Sequence, residues 1–343
     1  MKVIDVADAV GSVLCHDITR IIPGEFKGRA FRRGHVVRPE DIPTLLNLGK
    51  EHLYVYDLAE GYVHEDDAAH RMALALAQDT DASNLTLTAP CEGRINLVAA
   101  CDGLLQVDVD GLFDINSEEQ LVVATAHTGQ AVQTGRMVAG CRVVPLAVRR
   151  EKLERMEALC AARGATVSVL PFRPLKVGVV TTGSEVYHGR IKDKFGPILK
   201  RKFSALNCTV MGQTIVSDDK AMAVSAIRAF LDQGAEMVAV TGGMSVDPDD
   251  QTPAAIRALG GEIVTYGAPT FPGAMFMLAY VEGVPVVGLP GCVMYAQASV
   301  FDLVTPRLVA GLHVTRKDIV AMGHGGLCMN CPECRHPVCP FGK

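Results

Sequence analysis

The sequence lacks the marks of membrane insertion, secretion and nucleic-acid binding. No run of eighteen uncharged apolar residues occurs, and the longest candidates, such as Pro285 to Leu289, have only the length of a strand. The opening MKVIDVADAV carries two aspartates where a secretory core is apolar, so no signal peptide is expected. Lys and Arg number 33 against 38 Asp and Glu, and a formal net charge of −5 removes the electrostatic footprint of a general nucleic-acid binder. These absences predict a cytoplasmic protein with neither a membrane nor a nucleic acid as partner.

Several chemical signatures are missing as well. Gly49-Lys50 is followed by Glu51, so there is no P-loop, and no Gly-x-Gly-x-x-Gly opens the first α/β unit. No Gly-x-Ser-x-Gly elbow ends a strand, which argues against an α/β hydrolase. Neither a repeat of about 20 to 50 residues nor a low-complexity tract is found.

What is present suffices for a real core. The 343 residues are 49% apolar and 21% charged, which fits neither disorder nor a charge-rich coil. At about 150 residues per domain, two or three domains are expected. Residues 1–88 read as a mixed α/β region, with a helix from Asp41 to Gly49 bounded by Asp, Pro and Gly signals. Residues 89–148 read as a small β-rich domain, barrel or sandwich, from alternating runs at 94–98, 104–111, 121–125 and 137–144. Residues 149–170 read as a connecting helix and linker, with Leu153, Met156, Leu159 and Cys160 on one face and Gly164 at the end.

From 171 to 315 strands and helices alternate. Strands are expected at Lys176 to Val180, Thr209 to Val216, Met237 to Val240, Glu262 to Tyr266 and Val284 to Gly288. Helices are expected at Asp193 to Leu206, from Ser217 to Gly234, at Thr252 to Leu259 and at Val293 to Leu312. The pattern predicts an open, mostly parallel sheet with helices on both faces, preceded by the smaller mixed and β-rich N-terminal domains. In such sheets ligands bind outside the carboxyl ends of the strands.

Three loops at those ends are rich in glycine and small residues. Thr182, Gly183, Ser184 and Glu185 follow the first strand; Thr241, Gly242, Gly243, Met244 and Ser245 follow Met237 to Val240; Pro290 and Gly291 follow Val286-Val287. Glycine lets the backbone approach an anion closely, and the hydroxyls add donors. Acidic runs stand beside them at Asp218-Asp219 and at Asp247-Pro-Asp249-Asp250, just before Thr252-Pro253. Each run reads either as a solvated helix start or as part of a Mg²⁺ site bridging ligand phosphates. Lys200-Arg201-Lys202 reads as a solvated helix face.

The order of these segments resembles the molybdopterin-binding domain superfamily over roughly residues 175 to 312. The resemblance rests on Val177-Gly-Val-Val-Thr-Thr-Gly-Ser-Glu185, Ile215-Val-Ser-Asp-Asp219, Pro272-Gly273 and Val287-Gly-Leu-Pro-Gly291. Its most specific part is Thr241-Gly-Gly-Met-Ser-Val-Asp-Pro-Asp-Asp-Gln-Thr-Pro253. The superfamily includes molybdopterin adenylyltransferases, molybdopterin molybdenumtransferases and competence-damage-like proteins. The resemblance implies that the loops bind the pterin phosphate of molybdopterin or its adenylate, with Mg²⁺, and that Asp250 and Asp218 occupy the essential acidic positions. Departures are visible too. Pro272-Gly273 is followed by Ala274-Met275 where the molybdenumtransferases have Lys-Pro, and Leu289-Pro-Gly is followed by Cys292-Val293 in place of Asn-Pro. Ala9 to Ile18 is similar to their opening segment.

Eleven cysteines complete the inventory, four of them within the last sixteen residues. Cys15, Cys91, Cys101, Cys141, Cys160 and Cys208 read as interior thiols of a reduced protein, and Cys292 sits at a loop rim. Cys328-x₂-Cys331-x₂-Cys334-x₄-Cys339-Pro340, within a Cys-rich tail at 320–343, reads as a metal site, with zinc and an iron–sulfur cluster both open. His324 and His336 read either as solvated loop histidines or as further ligands. So few apolar residues cannot order the tail by burial, so metal or docking on the body is expected to do so. The leading expectation is molybdopterin binding in molybdenum or tungsten cofactor assembly, molybdenumtransferase-like, with molybdate or tungstate and a second copy of the chain as further partners. The alternatives are a competence-damage-like nucleotide pyrophosphatase and a non-catalytic cofactor sensor or chaperone.

Overall fold

The computed structural model describes residues 2–22, 24–55, 59–144, 146–245, 247–248 and 250–343. The chain forms two units whose segments interleave: Met1–Val98, Val107–Thr125 and Arg136–Ser168 make one, and Ala99–Gln106, Ala126–Gly135 and Val169–Lys343 the other.

The first unit is built from short antiparallel pairings. Lys2–Asp5 pairs with His52–Val55, Ile18–Ile22 with Phe26–Phe31, and Tyr62–His64 with Ala147–Arg149. A four-stranded sheet orders Leu85–Leu87, Arg94–Ala99, Met137–Val143 and Leu121–Thr125. The helix Glu65–Ala77 packs on strand Met137–Val143 and on the helix Arg150–Arg163. Forked ion pairs tie the helices down: Arg71 to Glu157 at 2.7 Å through both oxygens, and Arg163 to Asp108 at 2.6 and 2.9 Å. The run read as one strand from Leu104 to Gly111 divides. Gly103–Val107 is a strand, and Asp108 then caps the helix Val109–Ser117 by accepting the Gly111 N–H at 3.0 Å.

The second unit holds the α/β sheet. Its strands are β1 (Lys176–Thr182), β2 (Thr209–Val216), β3 (Met237–Thr241), β4 (Glu262–Tyr266), β5 (Met277–Val281) and β6 (Val284–Leu289), in the order β2-β1-β3-β6-β5-β4. β2, β1, β3 and β6 run parallel, and β5 lies antiparallel between β6 and the edge strand β4. Because β1 is followed by β2 on one side and β3 joins on the other, the order reverses between β1 and β3. That crevice is where an open α/β sheet takes its ligand.

Both faces of the sheet are buried, which explains the near-continuous apolar runs. Val177, Val179, Met237 and Ala239 face the helices α2 (Phe195–Ser204) and α6 (Val300–Val309), where Phe203 and Phe301 meet edge to face at 5.2 Å. Val180, Val238 and Val240 face α3 (Lys220–Asp232) and α4 (Thr252–Ala258). The remaining helices are the short α1 (Ser184–Tyr187), α5 (Cys292–Tyr295) and α7 (Arg316–Ala321). The single helix expected from Val293 to Leu312 is therefore two. Ser299 starts α6 with a capping box, accepting the Phe301 N–H while Asp302 accepts the Ser299 N–H at 2.8 Å. Lys202 is not a solvated residue: its Nζ bonds both oxygens of Asp302 at 2.7 and 2.9 Å, joining α2 to α6.

A three-stranded sheet, Ala131–Val132, Gly103–Val107 and Val167–Pro171, belongs largely to this unit and delivers the fully buried Leu104 to the α/β core. Among the described residues no helix is long and apolar enough to cross a membrane.

Candidate functional site

The loops after β1 and β3 are sewn together by threonines. Thr182 Oγ1 donates to the Thr241 carbonyl at 3.3 Å and lies 3.2 Å from Thr252 Oγ1, while Thr252 Oγ1 donates to the Gly242 carbonyl at 2.8 Å. Thr182, Thr241 and Thr252 are buried, so their hydroxyls hold the loops and are not spread over a ligand surface. Gln213 on β2 adds a bond from Nε2 to Thr181 Oγ1 at 2.9 Å and another to Asp193 at 2.7 Å.

Gly242 and Gly243 are required by this stitching. Both adopt left-handed backbone angles, φ +82° and +52°, and a Cβ on Gly242 would collide with the Thr182 carbonyl oxygen. Gly183, Ser184 and Glu185 open α1 on the neighbouring loop, with Gly183 buried and Glu185 exposed. Leu289 pairs with Thr241, which brings the Pro290-Gly291 turn to the same sheet edge; Pro290 is buried, and around Gly291 there is open space.

Each of the two acidic positions is anchored on a loop. Asp218, just beyond β2, accepts the Ser184 N–H through Oδ2 at 2.8 Å. Asp250 accepts the Ser245 N–H through Oδ2 at 2.8 Å. Among the described residues the Oδ1 of each has no hydrogen-bond partner. Asp219 instead caps α3 by accepting the Met222 N–H at 2.8 Å. Asp249 lies outside the described residues. Among the described residues no three His, Cys, Asp or Glu side chains are gathered into one metal-binding group.

Met244 is 4% exposed, packed among apolar side chains on the α3 and α4 face of the sheet. Its carbonyl accepts the Tyr266 hydroxyl at 3.2 Å. Tyr266 and Gln213, which brace the loops, carry no signal in the sequence; both sit on strands whose spacing marks only alternation. Pro272 and Gly273 lie in a different neighbourhood. The Pro272 carbonyl accepts the Val300 N–H at 3.2 Å, a Cβ on Gly273 would strike the Val300 side chain, and no hydrogen bond among the described residues joins the pair to the three loops.

The tail folds onto this same unit. Phe271 N–H donates to the Gly326 carbonyl at 2.7 Å, Cys328 N–H donates back to Phe271 at 2.8 Å, and Phe341, 3% exposed, enters the α/β core. Cys328, Cys331, Cys334 and Cys339 all line one cavity of about 210 Å³, which Pro272 and the half-buried His336 also line. Burial holds the His336 imidazole below its usual pKa.

Of the six thiols expected inside, Cys15, Cys141, Cys160 and Cys208 are buried, but Cys91 is exposed and Cys101 half-buried, since each lies in a turn beside a strand. Cys292 is half-buried, and desolvation raises its thiol pKa, which makes it a poor nucleophile at neutral pH.

Residues 178–310 match the family described as a probable molybdopterin binding domain, and residues 3–57 match a domain of unknown function, DUF8806. A molybdopterin molybdenumtransferase of Synechococcus elongatus is 27% identical over 143 residues, 39% of this chain and 36% of that protein. A molybdenum cofactor biosynthesis bifunctional protein of the same organism is 33% identical over 82 residues, 24% of this chain and 26% of that one. A CinA-like protein of Mycolicibacterium vanbaalenii is 30% identical over 112 residues, 29% of this chain and 26% of that one. The chain thus spans between 26% and 36% of the length of these curated relatives. The solved structure of the molybdopterin biosynthesis enzyme MoaB from Thermus thermophilus superposes with a TM-score of 0.35 at 19% identity, over 40% of this chain and 97% of that one. With its glycine loops at the switch point of the sheet, the segment 178–310 has the fold of the molybdopterin-binding superfamily.

Proposed function

We propose that the second unit binds molybdopterin or its adenylate in molybdenum or tungsten cofactor biosynthesis in the cytoplasm, acting as a transferase of the molybdenumtransferase kind. The observation that carries the reading is the convergence of Gly242-Gly243, Gly183-Ser184 and Gly291 at one sheet edge, with Asp218 and Asp250 each anchored there by a backbone N–H. Glycines and small hydroxyl residues at strand ends favour a phosphate. The carboxylates favour a hard cation, because each retains an oxygen unclaimed among the described residues. Mg²⁺ would be held by Asp218 and Asp250 and would neutralise phosphate charge. In this reading Asp218 and Asp250 are the catalytic positions. Thr182, Thr241 and Thr252 set the loops; Ser184, Glu185, Gly242, Gly243, Ser245 and Gly291 form the ligand surface, and the buried Gly183 and Pro290 shape its turns. Met244 supports it from behind, and Pro272 and Gly273, set against α6, stand outside it. Molybdate or tungstate would be the second substrate, and the four tail cysteines are ligands for zinc or an iron–sulfur cluster.

The CinA-like relatives and the Ala274-Met275 departure from Lys-Pro favour a second reading, a nucleotide pyrophosphatase. One assay separates the two. The full chain is incubated with Mg²⁺, molybdate and adenylylated molybdopterin, and in parallel with Mg²⁺ and ADP-ribose, and AMP is followed by chromatography. Release of AMP from the pterin adenylate alone supports the transferase reading. Release from ADP-ribose alone supports the second, and retained pterin without AMP release in either arm identifies a non-catalytic cofactor binder.

A further inference from the structure

The tail is held at both ends and open in the middle. Leu327 pairs with Phe271 in a short parallel bridge, and the Gly342 N–H donates to the Gly325 carbonyl at 2.9 Å, so residues 325 to 342 form a closed loop. Gly325 and Gly342 both take left-handed angles, φ +86° and +80°, and Cβ atoms there would collide with the Lys343 carbonyl and with Leu303. The closure is therefore a specific fold and needs both glycines. Inside it, among the described residues, the only backbone hydrogen bond within 329–339 runs from Val338 to Arg335 at 2.7 Å. Met329, Cys331, Cys334 and Val338 are exposed. A loop with neither a backbone ladder nor an apolar core needs another cross-link to stay ordered.

The chemistry of that cross-link is set by what lines the cavity. All four cysteines of the motif line one cavity of about 210 Å³, and among the described residues no carboxylate lines it. Four soft sulfur donors without a carboxylate, beside the amides of Gln297 and Asn330 and the imidazole of His336, select against Mg²⁺ and Ca²⁺ and for zinc, copper(I) or iron–sulfur clusters. Cys328 and Cys339 are half-buried against the α/β core, and Cys331 and Cys334 are exposed, so the donor set spans the cavity from body to solvent. Arg335 lines it too and offers positive charge to a thiolate assembly of net negative charge.

Zinc holds each sulfur at about 2.3 Å, which gathers all four around a single atom. The four cysteines here share the lining of the cavity with Ala296, Gln297, Ala298 and His336, and among the described residues no three His, Cys, Asp or Glu side chains are gathered into one metal-binding group. A polynuclear cluster brings its own sulfide to fill such a space, and its cysteine ligands stand correspondingly further apart. The sequence agrees. The x₂, x₂ spacing of Cys328, Cys331 and Cys334 follows the three cysteines that share one cluster in the bacterial run, and Cys339, one residue further on than the fourth cysteine of that run, supplies the remaining thiol.

We infer that the loop 325 to 342 is an iron–sulfur site ligated by Cys328, Cys331, Cys334 and Cys339. The assignment rests on reading the tail as a thiolate metal site and is independent of what the glycine loops bind. On assembly each thiol gives up its proton and forms one iron–sulfur bond. With the iron supplied as both ferrous and ferric ions and the sulfur as sulfide, no net electron transfer is needed.

The test uses the full chain, purified anaerobically. One sample is incubated with ferrous and ferric iron and sulfide, another with Zn²⁺ alone, and both are desalted before iron, acid-labile sulfide and zinc are measured. The expected result is iron and sulfide retained in equal number, about two or four of each per chain, with a broad visible absorption. The Cys331→Ser, Cys334→Ser double variant should lose at least about tenfold of that iron, whereas Cys91→Ser, at an exposed thiol of the other unit, should lose none. Because Cys331 and Cys334 are exposed, the metal-free double variant should melt as the wild type does, which separates loss of ligands from loss of fold. Zinc retention without iron and sulfide overturns the cluster and leaves a single-ion site. Iron retained in full by the double variant overturns the ligand assignment, and retention of no metal overturns both this inference and the reading of the tail as a metal site.

Discussion

At the scale of single residues the account turns on a few backbone positions and carboxylates. Gly242→Val places a Cβ against the Thr182 carbonyl at φ +82° and should cost at least about 2 kcal/mol, read as a lowered urea midpoint. A second residue prediction concerns the first unit. Glu65 is 4% exposed, and burial, with Asp66 beside it, lifts its carboxyl from 4.5 up to about 7, opposed by Arg142 at 3.9 Å and by Arg33. A carboxyl raised on folding makes the native state hold more protons than the unfolded chain, so stability falls as pH rises from about 4.5 through 7. Glu65→Gln should flatten that limb and stabilise the protein at pH 8, as followed by thermal melting across the pH series.

These residues differ in how far the sequence reveals them. The glycine loops are legible because Gly183, Gly242 and Gly243 take positive φ angles that favour glycine, and the order of the loops along the chain is specific. Gln213 and Tyr266, which brace the same loops, are invisible beforehand, since a polar residue on a strand points nowhere until its neighbours are known.

At the scale of elements, capping explains most differences between pattern and structure. The apolar run from Val293 to Leu312 has one periodicity throughout, yet Ser299 and Asp302 restart it as a separate helix. Ser299→Ala should lower unfolding free energy by about 1 kcal/mol, and Ser299→Gly by less, in urea titrations. The helix Glu65–Ala77 is hidden for another reason. Its buried face is made largely of alanine, including Ala68, Ala69, Ala73 and Ala77, and alanine carries too little hydrophobic contrast to mark a face. Asp108 similarly turns an alternating run into a strand followed by a helix.

At the scale of the whole molecule, chain order and structural unit do not coincide. Leu104 is fully buried in the α/β core although it lies more than sixty residues before Val169, and Phe172 N–H donates to the Asp102 carbonyl at 3.1 Å. Such non-local pairing has no signature in a single sequence, because each short strand alternates in the same way wherever it pairs. A fragment of residues 169–343 loses Leu104 and the strand Gly103–Val107. It should unfold at lower urea, by about 2 to 5 kcal/mol, than the second unit within the full chain.

The central claim concerns the switch point of the six-stranded sheet, and calorimetric titration of the full chain with adenylylated molybdopterin and Mg²⁺ tests it most directly. The account predicts saturable binding that weakens when Mg²⁺ is omitted. It also predicts a loss of about tenfold to a hundredfold in affinity in Asp250→Ala, whose melting temperature stays near that of the wild type. Absence of binding to the folded wild-type chain, or equal affinity in Asp250→Ala, would contradict it.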